Sequence, residues 1–394
     1  MVSRHRVTTI IVAATALKLA LASFWGWTND IRQSEFQARA FLAGLDVMDP
    51  SNTGGNPSFF LPGHYWLVAA CLLAARALDL SFAFVVKVPA ILADVVIAWL
   101  LRARDPVQGD RAALLYLLNP LSFLLAVYHG QVHTVAVAAA LSAQVLAGRG
   151  QFVGAGLALA AAVSVRQHFA VFLASLGASA PARRFAVLAA PTVLVVSLVF
   201  LTAHGYRAAA PLWNYGAWSY GLFLLQVPRV LALIGWRSGG AFAVVSEWIQ
   251  RWGPAFLWVW AVVFSVWCLR QALLRRLDPW RASLLFLVGL YAVTPGLGVQ
   301  WLIWALPFWI VVHPRQALAY SLLAGAFVAG SYWQWTLIPR YGVRSLTANL
   351  SMLSPADLLG IFVVGAVGVL TWMHCVWASW RLLRGDDSDQ RSRE

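Results

Sequence analysis

Apolar runs of about 20 residues recur from residue 7 to residue 380. A helix needs about 20 residues to cross the roughly 30 Å hydrocarbon core of a bilayer. Of the 394 residues, 61% are hydrophobic and 11% are charged, and a water-soluble core of this size could not hide so much apolar surface. The pattern predicts an all-α polytopic membrane protein, with one multi-pass domain over residues 1–394 and about 11–13 transmembrane helices.

The formal net charge of +14 would suggest nucleic acid as the partner of a soluble chain. Here the basic residues lie mainly between the apolar runs, where they act as topology signals and contact anionic lipid headgroups. We therefore expect no nucleic-acid partner. Because basic loops stay in the cytoplasm, we expect both termini there, including a tail over 381–394, in a bacterial cytoplasmic membrane. The three cysteines are far apart in apolar runs and predict neither a disulfide framework nor a zinc site.

The first outer loop, residues 27–62, contains a predicted juxtamembrane helix. Asp30 followed by Gln33 has the form of an N-cap with a partial capping box, so we expect a helix over 31–45. Ser34 falls within its apolar arc. The other residues of that arc predict an amphipathic helix on the membrane surface, and they are Ile31, Ala38, Phe41, Leu42 and Leu45.

Two further segments are expected on the outer face. The stretch 64–80 is the shortest apolar run between the first basic loops and is predicted to lie at the membrane surface. Residues 204–252 are predicted to form a long Trp-rich outer loop. Its tryptophans favour an interfacial belt, with stacking on sugar faces as the alternative.

Asp30 lies at the predicted boundary between water and lipid. A carboxylate held there could take a proton from a hydroxyl while a lipid-borne group lies alongside it. Glu35, on the same predicted helix, is the alternative base.

Several short motifs follow one another between about residue 24 and residue 310. After Asp30 they read FLAGLDVMDP, FFLPGHYW, FVVKVPAILADVVIAWLL, LNPLSFLLAVYHGQVH, AAVSVRQHF and TPGLGVQWLIWALPF. In this order the motifs resemble those of the polyprenyl-phosphate-sugar-dependent glycosyltransferases of the GT-C superfamily, in particular the bacterial mannosyltransferase-like members.

The resemblance implies a GT-C-like fold and an inverting transfer at the outer face. A mannose-like hexose would pass from a polyprenyl-phosphate donor to the hydroxyl of a lipid, glycan or protein acceptor. Asp30 would be the base, and Lys87 and Arg166 would bind the donor phosphate. The predicted substrate pocket is completed by His64, His129, Gln131, His133, His168 and Gln300.

The chain departs from the family pattern at two positions. The turn that is usually G-Q-x-D ends here in His133, and the usual lysine is Arg166. Arginine binds phosphate bidentately, whereas an imidazole replaces a carboxylate at position 133. His129 and His133 have the spacing of a metal pair, but no third ligand is evident. We therefore predict no metal site and no certain cofactor, with a divalent cation as an open possibility.

Two other classes of function stay open: a lipid or small-molecule transporter or flippase, and a non-catalytic GT-C-like partner in envelope polysaccharide assembly. Transporters commonly contain two similar halves, and none are visible here. The polar residues also cluster on one predicted side of the membrane, which favours an enzyme. Lys18 and Asp94 lie within apolar runs, where a charge is costly unless paired, and the sequence assigns neither a partner.

Overall fold

A computed structural model describes residues 4–26, 28–55, 60–105, 107–200, 241–347 and 352–385. Every regular element in these ranges is helical, which confirms the predicted all-α class. The contacts divide the chain into two compact units, whereas the sequence predicts one multi-pass domain. Unit 1 comprises Met1–Leu212, Ser265–Ser283 and Ile303–Pro314, and unit 2 comprises Trp213–Phe264, Leu284–Leu302 and Arg315–Glu394.

Four described helical segments are long and apolar enough to cross a membrane, by length and composition. They are His5–Phe24, Phe82–Arg104, Glu247–Leu273 and Pro355–Arg384. A fifth is added if Gly109–Leu117 and Pro120–His129, which are bent by 49° at a short break, form one span. Other apolar helices in the described ranges are shorter, at 10–17 residues. These helices are those expected of a membrane protein, and the predicted count of about 11–13 spans stays a prediction.

Unit 1 is built around the N-terminal helices. In chain order these are α1 (Arg4–Phe24), α2 (Asn29–Leu42), α3 (Pro62–Ala77), α4 (Phe82–Val85), α5 (Val88–Arg104), α6 (Gly109–Leu117), α7 (Pro120–Phe123), α8 (His133–Gly148), α9 (Phe152–Val165), α10 (Phe172–Ser179) and α11 (Ala182–Phe200). Helix α1 packs on α5 and α6, α5 also packs on α8, and α9 lies between α8 and α11. Unit 1 therefore brings the segments that follow α1, α7 and α9 into one helical body.

Helix α2 corrects the predicted start of the juxtamembrane helix. The N-cap is Thr28, whose side chain accepts a hydrogen bond from the Ile31 amide at 3.2 Å. Asp30 therefore lies in the first turn, where a carboxylate is stabilised by the positive end of the helix dipole. Of the predicted apolar arc, Ile31 and Ala38 are buried against α3 and α4, whereas the last two members, Leu42 and Leu45, are exposed.

Lys18 and Asp94 are partners of each other. The Lys18 ammonium lies 2.6 Å from Asp94 Oδ2, and both side chains are fully buried between α1 and α5. Ser122 Oγ donates to the same carboxylate oxygen at 2.8 Å, and the Tyr116 hydroxyl donates to the other oxygen at 2.8 Å. Lys18 also donates to Ser122 Oγ. The buried charges therefore have the ion pair and the hydrogen bonds that burial requires.

The C-terminal half of the chain contributes a further set of helices: α12 (Ala241–Leu273), α13 (Pro279–Val293), α14 (Leu302–Val312), α15 (Pro314–Thr336), α16 (Ile338–Thr347) and α17 (Pro355–Arg384). The end of the predicted Trp-rich loop needs correction, because residues 241–252 are the start of α12, a 33-residue helix. The remainder of that prediction, 204–240, lies outside the described residues.

Within unit 2, helices α15 and α17 lie against each other in antiparallel directions. A Cβ on Gly330 would come within 2.5 Å of Val364, and a Cβ on Gly368 would come within 2.6 Å of Phe327. Glycine at these two positions is what permits the close approach. The same register continues to Tyr320 and His374, whose rings are 6.5 Å apart. The first residues of α15 are therefore opposite the last turn of α17.

Candidate functional site

Asp30 lies beside the end of an irregular helix. After α7 the chain forms one π-helical segment, Leu124–His129, which ends at Gly130 in the left-handed conformation. The fully buried His129 places its Nε2 3.2 Å from Asp30 Oδ2, and the Asp30 side chain is 30% exposed. Thr28 Oγ1 donates to the His129 carbonyl at 3.3 Å. The carboxylate is thus held by a buried imidazole on one side and open on the other.

Gly130 is required for this arrangement. Its φ is +70°, and an added Cβ would lie 2.8 Å from Ile31 Cδ1 and 2.9 Å from Lys87 Cγ. Any larger residue would both strain the backbone and push α2 away from the turn. The turn after the π segment therefore fixes Asp30 next to His129.

Lys87 is the residue before α5, and its fully buried side chain reaches the C-terminus of α1. Its Nζ donates to the carbonyls of Ala22 at 3.3 Å and Gly26 at 3.4 Å, and to that of Trp25. Carbonyls at a helix C-terminus lack partners within the helix, and a cation there is favoured by the helix dipole. The observed contacts of Lys87 are therefore structural, and phosphate binding by Lys87 stays a prediction.

Arg166, directly after α9, forms the second part of the site and is only 1% exposed. Its Nη1 donates to His64 Nδ1 at 3.1 Å and to the Val165 carbonyl at 2.8 Å, while Nε donates to His133 Nδ1 at 3.3 Å. The guanidinium lies 4.1 Å from the centre of the Phe60 ring. Segments distant in sequence therefore hold this cation by neutral groups.

Two glutamines determine how these histidines face the arginine. Gln37 Oε1 lies 2.9 Å from His64 Nε2, and Gln131 Oε1 lies 2.6 Å from His133 Nε2. The guanidinium and the indole N–H can only donate, so each Nδ1 must accept and each neutral imidazole carries its proton on Nε2, next to a glutamine oxygen. Arg166 Nη2 also lies 3.2 Å from His133 Nε2. Both Nδ1 lone pairs point to Arg166, and that of His133 also accepts from the Trp304 indole at 3.1 Å.

The charge state of the cluster follows from burial. Burial and the charge of Arg166 hold the pKa of His64 well below its usual value and lower the pKa of His168 to about 3. Both imidazoles are therefore neutral at pH 7. Where the family pattern has a carboxylate, His133 gives Arg166 an uncharged partner.

The two parts of the site are connected through one turn. Gln131 is hydrogen-bonded to His133, and its side chain also interacts with His129. A continuous set of polar contacts thus runs from Asp30 through the turn to Arg166. Sequence reasoning selected six members of this cluster: Asp30, His64, His129, Gln131, His133 and Arg166.

Four contributors to this site were not predicted from the sequence. Thr28, Gln37 and Phe60 come from the segment between α1 and α3, and Trp304 comes from α14. Gln37 has a polar side chain on the buried face of α2, so a search for polar residues near the apolar arc would have found it. Trp304 has no such signal, because the chain contains 21 tryptophans.

Three other predicted site residues have different surroundings. Glu35 forms an ion pair with Arg39 one turn later in α2, with Oε1 3.1 Å from the arginine Nε. His168 lies in unit 1 with its ring 5.3 Å from that of Trp304. Gln300 is buried within unit 2, in the short 3₁₀ helix Val299–Trp301. Among the described residues, no three His, Cys, Asp or Glu side chains converge as metal ligands would.

Comparisons of the chain with protein families and with curated proteins found no match. The candidate site is therefore interpreted from its own residues.

Proposed function

We propose that this chain is a membrane glycosyltransferase that moves a hexose, mannose-like in the first instance, from a polyprenyl-phosphate donor to an acceptor hydroxyl at the outer face. The observation that carries the proposal is the pairing of a half-open carboxylate, Asp30, with a buried imidazole at 3.2 Å, in continuous polar contact with a buried arginine. Together with the order of the motifs, this arrangement fits the two demands of the reaction.

The first demand is a base for the acceptor. The hydroxyl oxygen attacks the anomeric carbon, the bond from that carbon to the phosphate oxygen breaks, and its electron pair leaves with the lipid phosphate. The hydroxyl proton passes to Asp30. His129 lies on the buried side of the carboxylate, with Nε2 3.2 Å from Oδ2, and positions it, as the third group of a catalytic triad orients its base. Attack opposite the leaving group inverts the anomeric configuration.

The second demand is a cation for the departing phosphate. Arg166 keeps its full charge beside neutral imidazoles, and a guanidinium binds phosphate oxygens in a bidentate manner. A low-dielectric surrounding strengthens that attraction. We assign the donor phosphate to Arg166, and Lys87 supports the site from the end of α1.

Transport is the second candidate function, and one specific observation favours it. Lys18 and Asp94 form an ion pair with no exposure inside two apolar helices, and ionisable pairs within membrane spans often belong to ion or proton pathways. A non-catalytic role in polysaccharide assembly is the third possibility, because of the imidazole at position 133.

The deciding experiment incubates purified protein with a radiolabelled polyprenyl-phosphate hexose and a membrane extract, and then identifies the labelled product. We expect Asp30→Asn to lower the transfer rate about 10³-fold, since a general base contributes about 10²–10⁴-fold. Expression should stay at the wild-type level and the unfolding temperature should fall only slightly, because asparagine keeps the size of the side chain and loses only the charge near the positive end of α2.

Glu35→Gln separates the two candidate bases. Its carboxylate is engaged with Arg39, so we expect transfer within about twofold of wild type. Full activity of Asp30→Asn would exclude Asp30 as the base. A transporter would show no labelled product in either variant and altered translocation of its substrate.

A further inference from the structure

Unit 2 contains a cleft whose lining is basic and aromatic. It has a volume of about 510 Å³ and lies between the start of α15 and the last turns of α17. The residues that line it are Arg315, Gln316, Ala319, His374, Trp377 and Arg381. None of these residues is acidic. The cleft belongs to a different unit from the candidate active site.

One face of α17 leads into the cleft as a stacked row. His374 and Trp377 have ring centres 5.6 Å apart, and the Arg381 guanidinium lies 5.0 Å from the Trp377 ring. The spacing of three and four residues puts all three on one helical face. The row ends with the charge of Arg381 at the cleft.

Arg315 brings a second positive charge to the same place. It is the second residue of α15, in the first helical turn, where the helix dipole is positive and a cation is disfavoured. Arg381 lies in the last turn of α17, where the dipole alone would stabilise it. The helix dipole therefore accounts for the position of Arg381 but not for that of Arg315. An anion in the cleft would accept from guanidinium groups on both helices and from the amides of the first turn of α15.

The surroundings of the cleft indicate where such an anion would come from. Trp377 is 42% exposed, and Leu318, Leu322 and Met373 beside the cleft are more than half exposed. Met373 and Trp377 are on α17, which has the composition of a membrane span, and exposed apolar side chains of this size are suited to acyl chains. Basic clefts between such helices at the cytoplasmic end bind anionic headgroups, and the basic residues assign this end to the cytoplasm.

We propose that the cleft between α15 and α17 binds the phosphodiester headgroup of an anionic membrane phospholipid. Arg315 and Arg381 bind the phosphate oxygens, Gln316 donates to them, and the acyl chains lie along the exposed leucines and Trp377. This proposal goes beyond the transfer reaction and rests only on the membrane location of the chain.

Native mass spectrometry of the full-length protein in detergent tests the proposal with phosphatidylglycerol as the probe. We expect wild type to retain one phosphatidylglycerol in preference to phosphatidylcholine. Arg315→Gln with Arg381→Gln should lower the affinity about tenfold, as expected when charge-assisted hydrogen bonds are lost. Arg384→Gln is the matched control, because Arg384 lies in the same helical turn, stacks 3.7 Å over Trp380 and does not line the cleft. It should change the affinity less than twofold.

The single variant Arg315→Gln keeps the test decisive if the double variant misfolds, because Arg315 is exposed. Equal retention of both lipids, or equal effects of Arg315→Gln and Arg384→Gln, would overturn the proposal.

Two further arms test other anions. Inorganic phosphate should neither displace the lipid nor raise the unfolding temperature. If it does so in a manner that depends on Arg315 and Arg381, the ligand is a free anion. The chain continues beyond α17 with Asp386, Asp387 and Asp389. Lipid retention that appears only after these three are changed to Asn would show that the tail fills the cleft. Either result rejects the phospholipid, and neither bears on sugar transfer.

Discussion

Two of the buried cations of unit 1, Lys18 and Arg166, have different surroundings. Lys18 contacts a carboxylate at 2.6 Å, and that carboxylate also accepts from a serine and a tyrosine. Arg166 donates hydrogen bonds to His64 and His133, and these uncharged imidazoles do not neutralise it. The first cluster satisfies its own charge. The imidazoles of the second cluster do not cancel the guanidinium charge, which is expected beside a group that binds an anion.

The largest effect is expected when the self-neutralised cluster is broken. Lys18→Met leaves Asp94 buried without its cation, and we expect a loss of about 3–5 kcal/mol in the free energy of unfolding. The double variant Lys18→Met with Asp94→Leu should recover most of that loss, because no buried charge remains. Chemical denaturation in detergent measures both. A double variant as unstable as the single one would indicate that the pair does more than neutralise itself.

The second largest effect is expected when acid reaches the histidine cluster around Arg166. Burial and Arg166 lower the pKa of His168 to about 3, whereas an unfolded histidine titrates near 6.5. Between these values the unfolded state binds a proton that the folded state does not. Stability is therefore complete above about pH 6.5 and falls as the pH decreases toward 3. We expect a loss of about 2 kcal/mol between pH 7 and pH 4.5 through this group.

Unfolding curves of His168→Gln should show a smaller loss over the same pH interval. The control is His5→Gln, since His5 is exposed on α1, and it should follow wild type. Identical pH dependence in all three proteins would contradict the neutral cluster.

Replacement of Arg166 tests its proposed role. Lysine lacks the planar fork whose separate nitrogens reach His64 and His133, so Arg166→Lys should raise the KM for the donor about tenfold with a smaller change in kcat. Lys87→Met should instead lower the unfolding temperature, because the carbonyls at the end of α1 lose their donor. Steady-state kinetics and thermal unfolding on both variants separate the two effects. A reversed pattern would move the phosphate from Arg166 to Lys87.

The smallest effect concerns the cap of α2, at the edge of the second cluster. Thr28→Ala should cost about 1 kcal/mol in the free energy of unfolding. Gln33→Ala should cost less than about 0.5 kcal/mol, because the cap that includes Gln33 is not formed. A larger cost for Gln33→Ala would restore the capping box predicted from the sequence.

The helical class and most of the site could be predicted because each leaves a local trace. Apolar runs of span length predict helices without any knowledge of their neighbours. Polar residues after such runs, including Asp30, His129 and Arg166, are unusual enough to select individually. These residues come together because the turns that carry them follow α1, α7 and α9.

The pairings could not be predicted, because they depend on which helices meet. Lys18 and Asp94 are 76 positions apart, and opposite charges in two spans suggest a pair without identifying the helices that pack. The N-cap is Thr28 and not Asp30. Both residue types cap well, so the sequence alone does not choose between them, and in the structure it is Thr28 that has the extended backbone of a cap. Nothing local distinguishes Trp304 from the other tryptophans.

Helix α9, which ends at Arg166, has 14 residues. At 1.5 Å per residue it is about 21 Å long, against a hydrocarbon layer of roughly 30 Å. If α9 crosses a bilayer, the bilayer around it must become thinner, or its last turn must end short of the glycerol level. In the proposed reaction, a donor phosphate that reaches the guanidinium would then leave the aqueous boundary and enter a depression in the leaflet. A polyprenyl chain, which is itself part of the hydrocarbon, can follow it there.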